Sequence, residues 1–126
     1  MNAVLVDTDI LIEVLRQRDA AILGKWRSLG EGEALVLYSP VTEAEIFHGV
    51  RQGEHSAVAV LFAAMTCIPI GSEIGRKAGE YLRLFHRSHR LELGDALIAA
   101  TASIHKLQLW TRNRKHYPMK EVVHWA

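Results

Sequence analysis

Five short apolar runs, none longer than five residues, alternate with helix-periodic segments along the chain: "AVLV" (3 to 6), "ALVLY" (34 to 38), "CIPI" (67 to 70), "LQLW" (107 to 110) and "EVVHW" (121 to 125). Strands that read as continuous apolar stretches, not as every-other-residue patterns, are covered on both faces, which is the signature of a parallel sheet. The segments between them, 9 to 17, 19 to 29, 40 to 52, 54 to 65, 72 to 89 and 93 to 106, carry helical periodicity. Strands alternating with helices predict an α/β chain, a three-layer α/β/α sandwich around a central parallel sheet of about five strands. With 126 residues and 49% hydrophobic content, one core is affordable and two ordinary domains are not, so a single domain over 1 to 126 is expected. There is no internal repeat and no long polar linker to divide it.

Local signals sharpen the boundaries. "SP" at 39 and 40 offers a capping serine followed by proline at the first helical position, and Gly71 and Ser72 precede the long helix of 72 to 89. Helix 93 to 106 is rich in alanine, which lets it lie close to the sheet. In an open parallel sheet, ligands bind beyond the carboxyl ends of the strands, where strand order reverses. Asp7 ends the first strand and belongs at that edge.

Bulk properties exclude several classes. The single cysteine, Cys67, rules out an internal disulfide framework. No basic-then-apolar leader opens the sequence and no apolar run reaches the roughly eighteen residues of a membrane span, so a soluble, cytoplasmic protein without membrane contact is expected. Net charge is +1, which argues neither for nor against a nucleic-acid partner. Its distribution is uneven. Residues 105 to 120 hold five Lys/Arg and two His with no acid, and residues 76 to 90 hold five Lys/Arg against one Glu.

Acidic residues at strand ends are the chemistry-bearing feature. In "VLVDTDILIE" (4 to 13), Asp7 and Asp9 interrupt an apolar run. Each has a purely structural role available at a helix start, where a carboxylate accepts backbone N–H bonds and complements the helix dipole. Glu43 and Glu45 sit early in the helix after the second strand and point in different directions. Periodicity does not choose between them, and Glu45 can also answer Thr42 in a capping box. Asp95 lies in "GDALIAATA" (94 to 102), a segment otherwise free of charge. A lone carboxylate there needs a partner, a metal or a capping role. Were three such carboxylates to converge, each close pair would repel by about 4 kcal/mol at an effective dielectric near 20. A divalent cation offsets that repulsion. All-oxygen ligation suits Mg²⁺ or Mn²⁺, whereas zinc favours His and Cys, and the seven histidines here contain no HExxH arrangement.

"VLVDTDILIE", "YSPVTEAEIFHGV", "GDALIAATA" and "LWTRNRKHYP" occur in that order and cover nearly the whole chain, from residue 3 to about 125. In this the sequence resembles the PIN-domain ribonucleases, specifically the VapC-type toxins of bacterial toxin–antitoxin pairs. The resemblance implies a Mg²⁺- or Mn²⁺-dependent endoribonuclease that hydrolyses RNA phosphodiester bonds and inhibits translation. It assigns the catalytic and metal-holding acids to Asp7, Glu45 and Asp95, choosing Glu45 over Glu43. Thr8, Asp9, Thr111, Asn113 and His116 are implied as accessory residues, and Arg112, Arg114 and Lys115 as RNA-binding ones, with the basic 76 to 90 helix as a further guide for RNA. Relatives often carry a fourth acid in a "TRNxxDF"-like ending, where "TRNRKHYP" places His116. That departure bears on a second metal ion and gives His116 a possible role as proton donor to the leaving oxygen. Implied partners are a VapB-type antitoxin, a tRNA or rRNA substrate and a second copy of the chain, with DNA contacted only through the antitoxin. Trp26, Phe47, Phe62 and Tyr81 are candidates for an interface or for the core. Two rival readings remain at this point: a PIN-fold interaction protein without catalysis, and a Mg²⁺-binding receiver-type domain, which lacks its phosphorylatable Asp after "ALVLY" or "CIPI".

Overall fold

The computed structural model describes residues 3 to 126. Its elements run β1 (Ala3–Val6), α1 (Thr8–Arg16), α2 (Ala20–Glu31), β2 (Leu35–Tyr38), α3 (Pro40–Gly49), α4 (His55–Ala63), β3 (Thr66–Cys67), α5 (Ser72–His89), α6 (Leu93–Ile104), β4 (Gln108–Trp110), a 3₁₀ turn (Arg114–His116) and β5 (Val123–His124). The five strands form one sheet in the order β3-β2-β1-β4-β5, and every pairing is parallel. The expected α/β architecture with a five-stranded parallel sheet is therefore present.

Side-chain alternation along the strands divides the core in two. Leu5, Leu37 and Leu109 face one layer with Ile74, Ala78 and Tyr81 of α5 and the alanines of α6. Val4, Val6 and Trp110 face the other with Ile10 and Leu11 of α1, Ile22 of α2, Ile46 of α3 and Val58 of α4. Each face of the sheet is thus covered by helices, which gives the three layers. Ala96, Ala99, Ala100 and Ala102 are all buried, and these short side chains let α6 pack tightly against α5 and the sheet.

Several boundaries differ from the sequence expectation. The strand expected over 67 to 70 spans only Thr66–Cys67: Ile68 N–H still donates to Tyr38 O (2.9 Å), but Pro69 has no N–H to continue the ladder. The last strand shrinks to Val123–His124. Both short strands are the edges of the sheet, where little backbone is left to recruit another chain. Helix α3 stops at Gly49, three residues early, because Val50 is extended and the chain turns through Gly53 at φ 88°, a conformation that favours glycine. Helix α6 stops at Ile104, and Lys106 turns the chain at φ 54° into β4.

Candidate active site

Strand order reverses at β1, which has β2 on one side and β4 on the other. Asp7 stands just past the carboxyl end of β1. Its N–H donates to Trp110 O (2.9 Å), which continues the β1–β4 ladder by one step and sets Thr111 beside it. The capping role and the site role of Asp7 coexist because its two oxygens divide the work. Asp7 caps α1, its Oδ1 accepting from Thr8 N–H (2.8 Å), while Oδ2 accepts from Thr111 Oγ1 (2.8 Å) and from the Tyr117 hydroxyl (3.0 Å).

Glu45 and Glu43 part company on α3. Ser39, not Thr42, caps this helix, its Oγ accepting from Val41 N–H (3.1 Å), so the capping-box explanation of Glu45 does not apply. Glu45 Oε1 instead accepts from Thr8 Oγ1 (2.7 Å), which also lies 2.9 Å from Thr42 Oγ1. Glu43 faces Tyr38 and Cys67, whose hydroxyl and thiol are pushed up by burial and then by its charge. Asp95 arrives from α6. Its Oδ1 lies 3.3 Å from the Tyr117 hydroxyl, whose one proton it shares with Asp7 Oδ2, and Oδ2 accepts, at 3.4 Å, from the N–H of the capping residue Glu92. Gly94 makes this approach possible, since a Cβ there would lie 3.2 Å from Val41 Cγ1 and 4.0 Å from Glu45 Oε2.

Asp7, Thr8, Asp9, Ile12, Glu45, Asp95, Asn113 and Tyr117 line one cavity of about 220 Å³. Acids from residues 7, 9, 45 and 95 therefore meet in one place. Larger hollows exist, of about 420 Å³ beside α5 and about 380 Å³ between α1, α2 and α4. The first interleaves its glutamates with Arg76 and Lys77 and the second is largely apolar, so chemistry and not size singles out the smaller cavity.

The remaining sequence candidates fall into distinct positions. Asp9 Oδ2 accepts from Arg112 N–H (3.1 Å), whereas its buried Oδ1 has no hydrogen-bond partner. Thr111 Oγ1 accepts from Asn113 N–H (3.0 Å), which folds the loop so that Asn113 reaches the cavity wall. The Arg112 guanidinium is turned away from the cavity to Glu13 Oε1 (2.9 Å), which Arg18 also contacts (2.7 Å). Arg114 Nη2 donates to Trp125 O (3.0 Å), and both Arg114 and Lys115 are exposed. His116 is outside the cavity wall, with Nδ1 3.7 Å from Asp95 Oδ2. Tyr81 is buried, and Phe47 is exposed but stacked on Phe62 at 5.8 Å between ring centroids. Tyr117 was not among the sequence candidates. As an aromatic residue just before a proline it reads as core, and nothing in the letters shows that its hydroxyl reaches two acids.

Burial first, and then the charge of Asp9, push the Asp7 carboxyl up to about 7, against lowering hydrogen bonds from Thr111, Thr8 and Tyr117. Burial likewise raises the Asp9 carboxyl. The Tyr117 phenol is driven far above the usual tyrosine range by burial and by Asp7 and Asp95, so it keeps its proton. Such a cluster binds positive charge, whether as protons or as a cation. Among the described residues, no group of three or more His, Cys, Asp or Glu is gathered closely enough to form a ready-made metal cage. The fit is to a hydrated ion: Mg²⁺ keeps several of its waters and needs one or two carboxylates. An all-oxygen lining, an unpartnered Asp9 oxygen and the volume of the cavity suit that mode.

Comparison with known proteins assigns the fold to a family. The family model described as "PIN domain" matches residues 4–122. Ribonuclease VapC10 of Mycobacterium tuberculosis is 41% identical over 119 residues, covering 94% of this chain and 88% of the relative. The structure is similar to a toxin–antitoxin complex from Klebsiella pneumoniae (TM-score 0.73, 26% identity, 95% of each chain). It is also similar to VapBC2 from Rickettsia felis bound to a promoter DNA fragment (TM-score 0.81, 18% identity, 98% of this chain and 99% of that one). The strand-end acids, the parallel sheet that gathers them and a match over nearly the whole length place the chain in the PIN domain family.

Proposed function

We propose that this chain is a Mg²⁺- or Mn²⁺-dependent endoribonuclease, the toxin of a VapC-type toxin–antitoxin pair, which inhibits translation by cutting tRNA or rRNA. The observation that carries the reading is the single cavity lined by Asp7, Asp9, Glu45 and Asp95 at the reversal of strand order. A bound divalent ion supplies Lewis-acid activation of water and neutralises charge developing on the phosphate.

The chain's own residues do the rest. Asp7, Glu45 and Asp95 bind the ion directly or through its waters, and Asp9 adds negative charge beside them. Thr111 and Thr8 donate to Asp7 and Glu45 and fix their orientation. Arg114 and Lys115, exposed on the 3₁₀ turn after β4, meet RNA phosphates at the rim. The basic end of α5, with Arg87, His89 and Arg90, leads directly into the start of α6 that carries Asp95, so it offers a second rim for the same polyanion. Arg112 belongs to the scaffold of this rim through Glu13.

The toxin–antitoxin setting is carried over from the relatives. A basic side chain from a VapB-type antitoxin entering the acidic cavity would neutralise it by simple charge pairing. A homodimer, and DNA contact only through the antitoxin, belong to the same reading. Among the described residues no helix is long and apolar enough to cross a membrane.

The test is RNA cleavage by protein freed of any bound partner, with Mg²⁺, with EDTA, and with the Asp7→Asn and Asp95→Asn variants. Cleavage is expected only for the wild type with metal. Equal rates for either variant and the wild type would refute the assignment.

A further inference from the structure

Asp95 is held in the cavity by long contacts only. Its Oδ2 has only long contacts, 3.4 Å to Glu92 N and 3.7 Å to His116 Nδ1. Asp7, by contrast, is held from several sides by Thr8 N–H, the Thr111 hydroxyl and the ladder bond to Trp110. One group touches both acids. The Tyr117 hydroxyl lies 3.0 Å from Asp7 Oδ2 and 3.3 Å from Asp95 Oδ1, so those two oxygens stand no further apart than two hydrogen bonds laid end to end.

Tyr117 itself is firmly seated. Its ring is 2% exposed within the core of the α5–α6 layer. Its N–H donates to Arg114 O (3.0 Å) and its carbonyl accepts from His124 Nε2 on β5 (3.1 Å).

Resting on the metal-dependent reading above, we propose that Tyr117 is a positioning residue that ties the β1 acid to the α6 acid. Its hydroxyl, through a single proton shared between Asp7 Oδ2 and Asp95 Oδ1, holds the two carboxylates at one spacing and turned towards the cavity, so that a divalent ion would meet an arranged pair. Groups that orient metal-binding carboxylates in this way contribute typically 10- to 100-fold in metal affinity or activity.

Tyr117→Phe removes the hydroxyl and keeps the ring. Mn²⁺ affinity, measured without RNA by the electron paramagnetic resonance of free Mn²⁺, is expected to fall about 10- to 100-fold. RNA cleavage should lose kcat with KM within about twofold, while the melting midpoint in EDTA stays within a few degrees. Asp7→Asn serves as the reference for lost metal binding. Unchanged Mn²⁺ affinity in Tyr117→Phe, with binding lost in Asp7→Asn, overturns the role of Tyr117 and leaves the nuclease reading standing. A Tyr117→Phe chain that is unfolded in EDTA also overturns it, by making the hydroxyl a fold determinant. A wild-type protein that neither binds Mn²⁺ nor cuts RNA overturns both.

Discussion

Asp7 is buried, ends a strand, caps a helix and faces the cavity, and its proton affinity is correspondingly high. Its carboxyl, near 3.8 in the unfolded chain, is pushed up to about 7 in the fold. A raised folded value means that the contribution of protonated Asp7 is fully present below about 3.8 and lost as pH rises through about 7. Metal-free protein should therefore be less stable at pH 8 than at pH 5, with a ceiling for this one group over that window of about 3 kcal/mol. Asp7→Asn carries no titrating group at this position and is expected to flatten the slope while abolishing RNA cleavage. Urea unfolding in EDTA at the two pH values checks it, and identical slopes for variant and wild type would contradict the cause given. On the proposed reading the site trades stability for function, since the charge that disfavours the fold at neutral pH is the charge that would attract a cation.

Helices α1, α3 and α6 bring their first turns to one edge of the sheet, and how each begins decides where its acid points. Ser39 is fully buried and caps α3. Ser39→Ala should cost about 1 kcal/mol of stability, readable as a shift in denaturation midpoint with unchanged slope. The contact between α3 and α6 is set by Gly94, where a methyl group would press on Val41 at 3.2 Å and reach Glu45 Oε2 at 4.0 Å. For Gly94→Ala, the gain in helix propensity of up to about 1 kcal/mol offsets the crowding. Stability should change little, yet cleavage should fall roughly tenfold because Glu45 and Asp95 are shifted relative to one another. Full activity in that variant would show that the spacing of α3 and α6 is not critical.

Across the whole molecule, the parallel sheet with helices on both faces is what converts sequence distance into proximity. Asp7 and Thr111 lie one step beyond β1 and β4, Glu45 lies in the second turn of the helix after β2, and Asp95 lies in the first turn of α6, which enters from α5, so the fold that aligns the strands and seats α6 beside α3 also aligns the acids. An ion that binds only the folded state adds stability by mass action, about 2.7 kcal/mol at a hundred times its dissociation constant. Mg²⁺ at pH 8 should accordingly raise the melting midpoint by several degrees over EDTA, and the rise should vanish in Asp7→Asn. Thermal melts followed by circular dichroism decide this, and an equal shift in both proteins would place the ion elsewhere.

Much of this protein is written in its letters. Continuous apolar runs separated by helical periods determine a parallel sheet covered on both faces, because only that arrangement buries both sides of every strand. The acids at strand ends and in a charge-poor helix mark a candidate site, but the letters leave a capping role open for each of them, and Asp7 and Asp95 do cap their helices in the fold. Boundaries such as the end of β3 at Pro69 and the early stop of α3 escaped, since they depend on which backbone N–H groups find partners. Tertiary structure alone decided that Glu45 and not Glu43 faces the cavity on grounds of geometry, that Arg112 is bound to Glu13, and that the Tyr117 hydroxyl joins two acids 88 positions apart in the chain. Direction and partner of a side chain are settled by what the fold places opposite it, and a one-dimensional pattern does not carry that information.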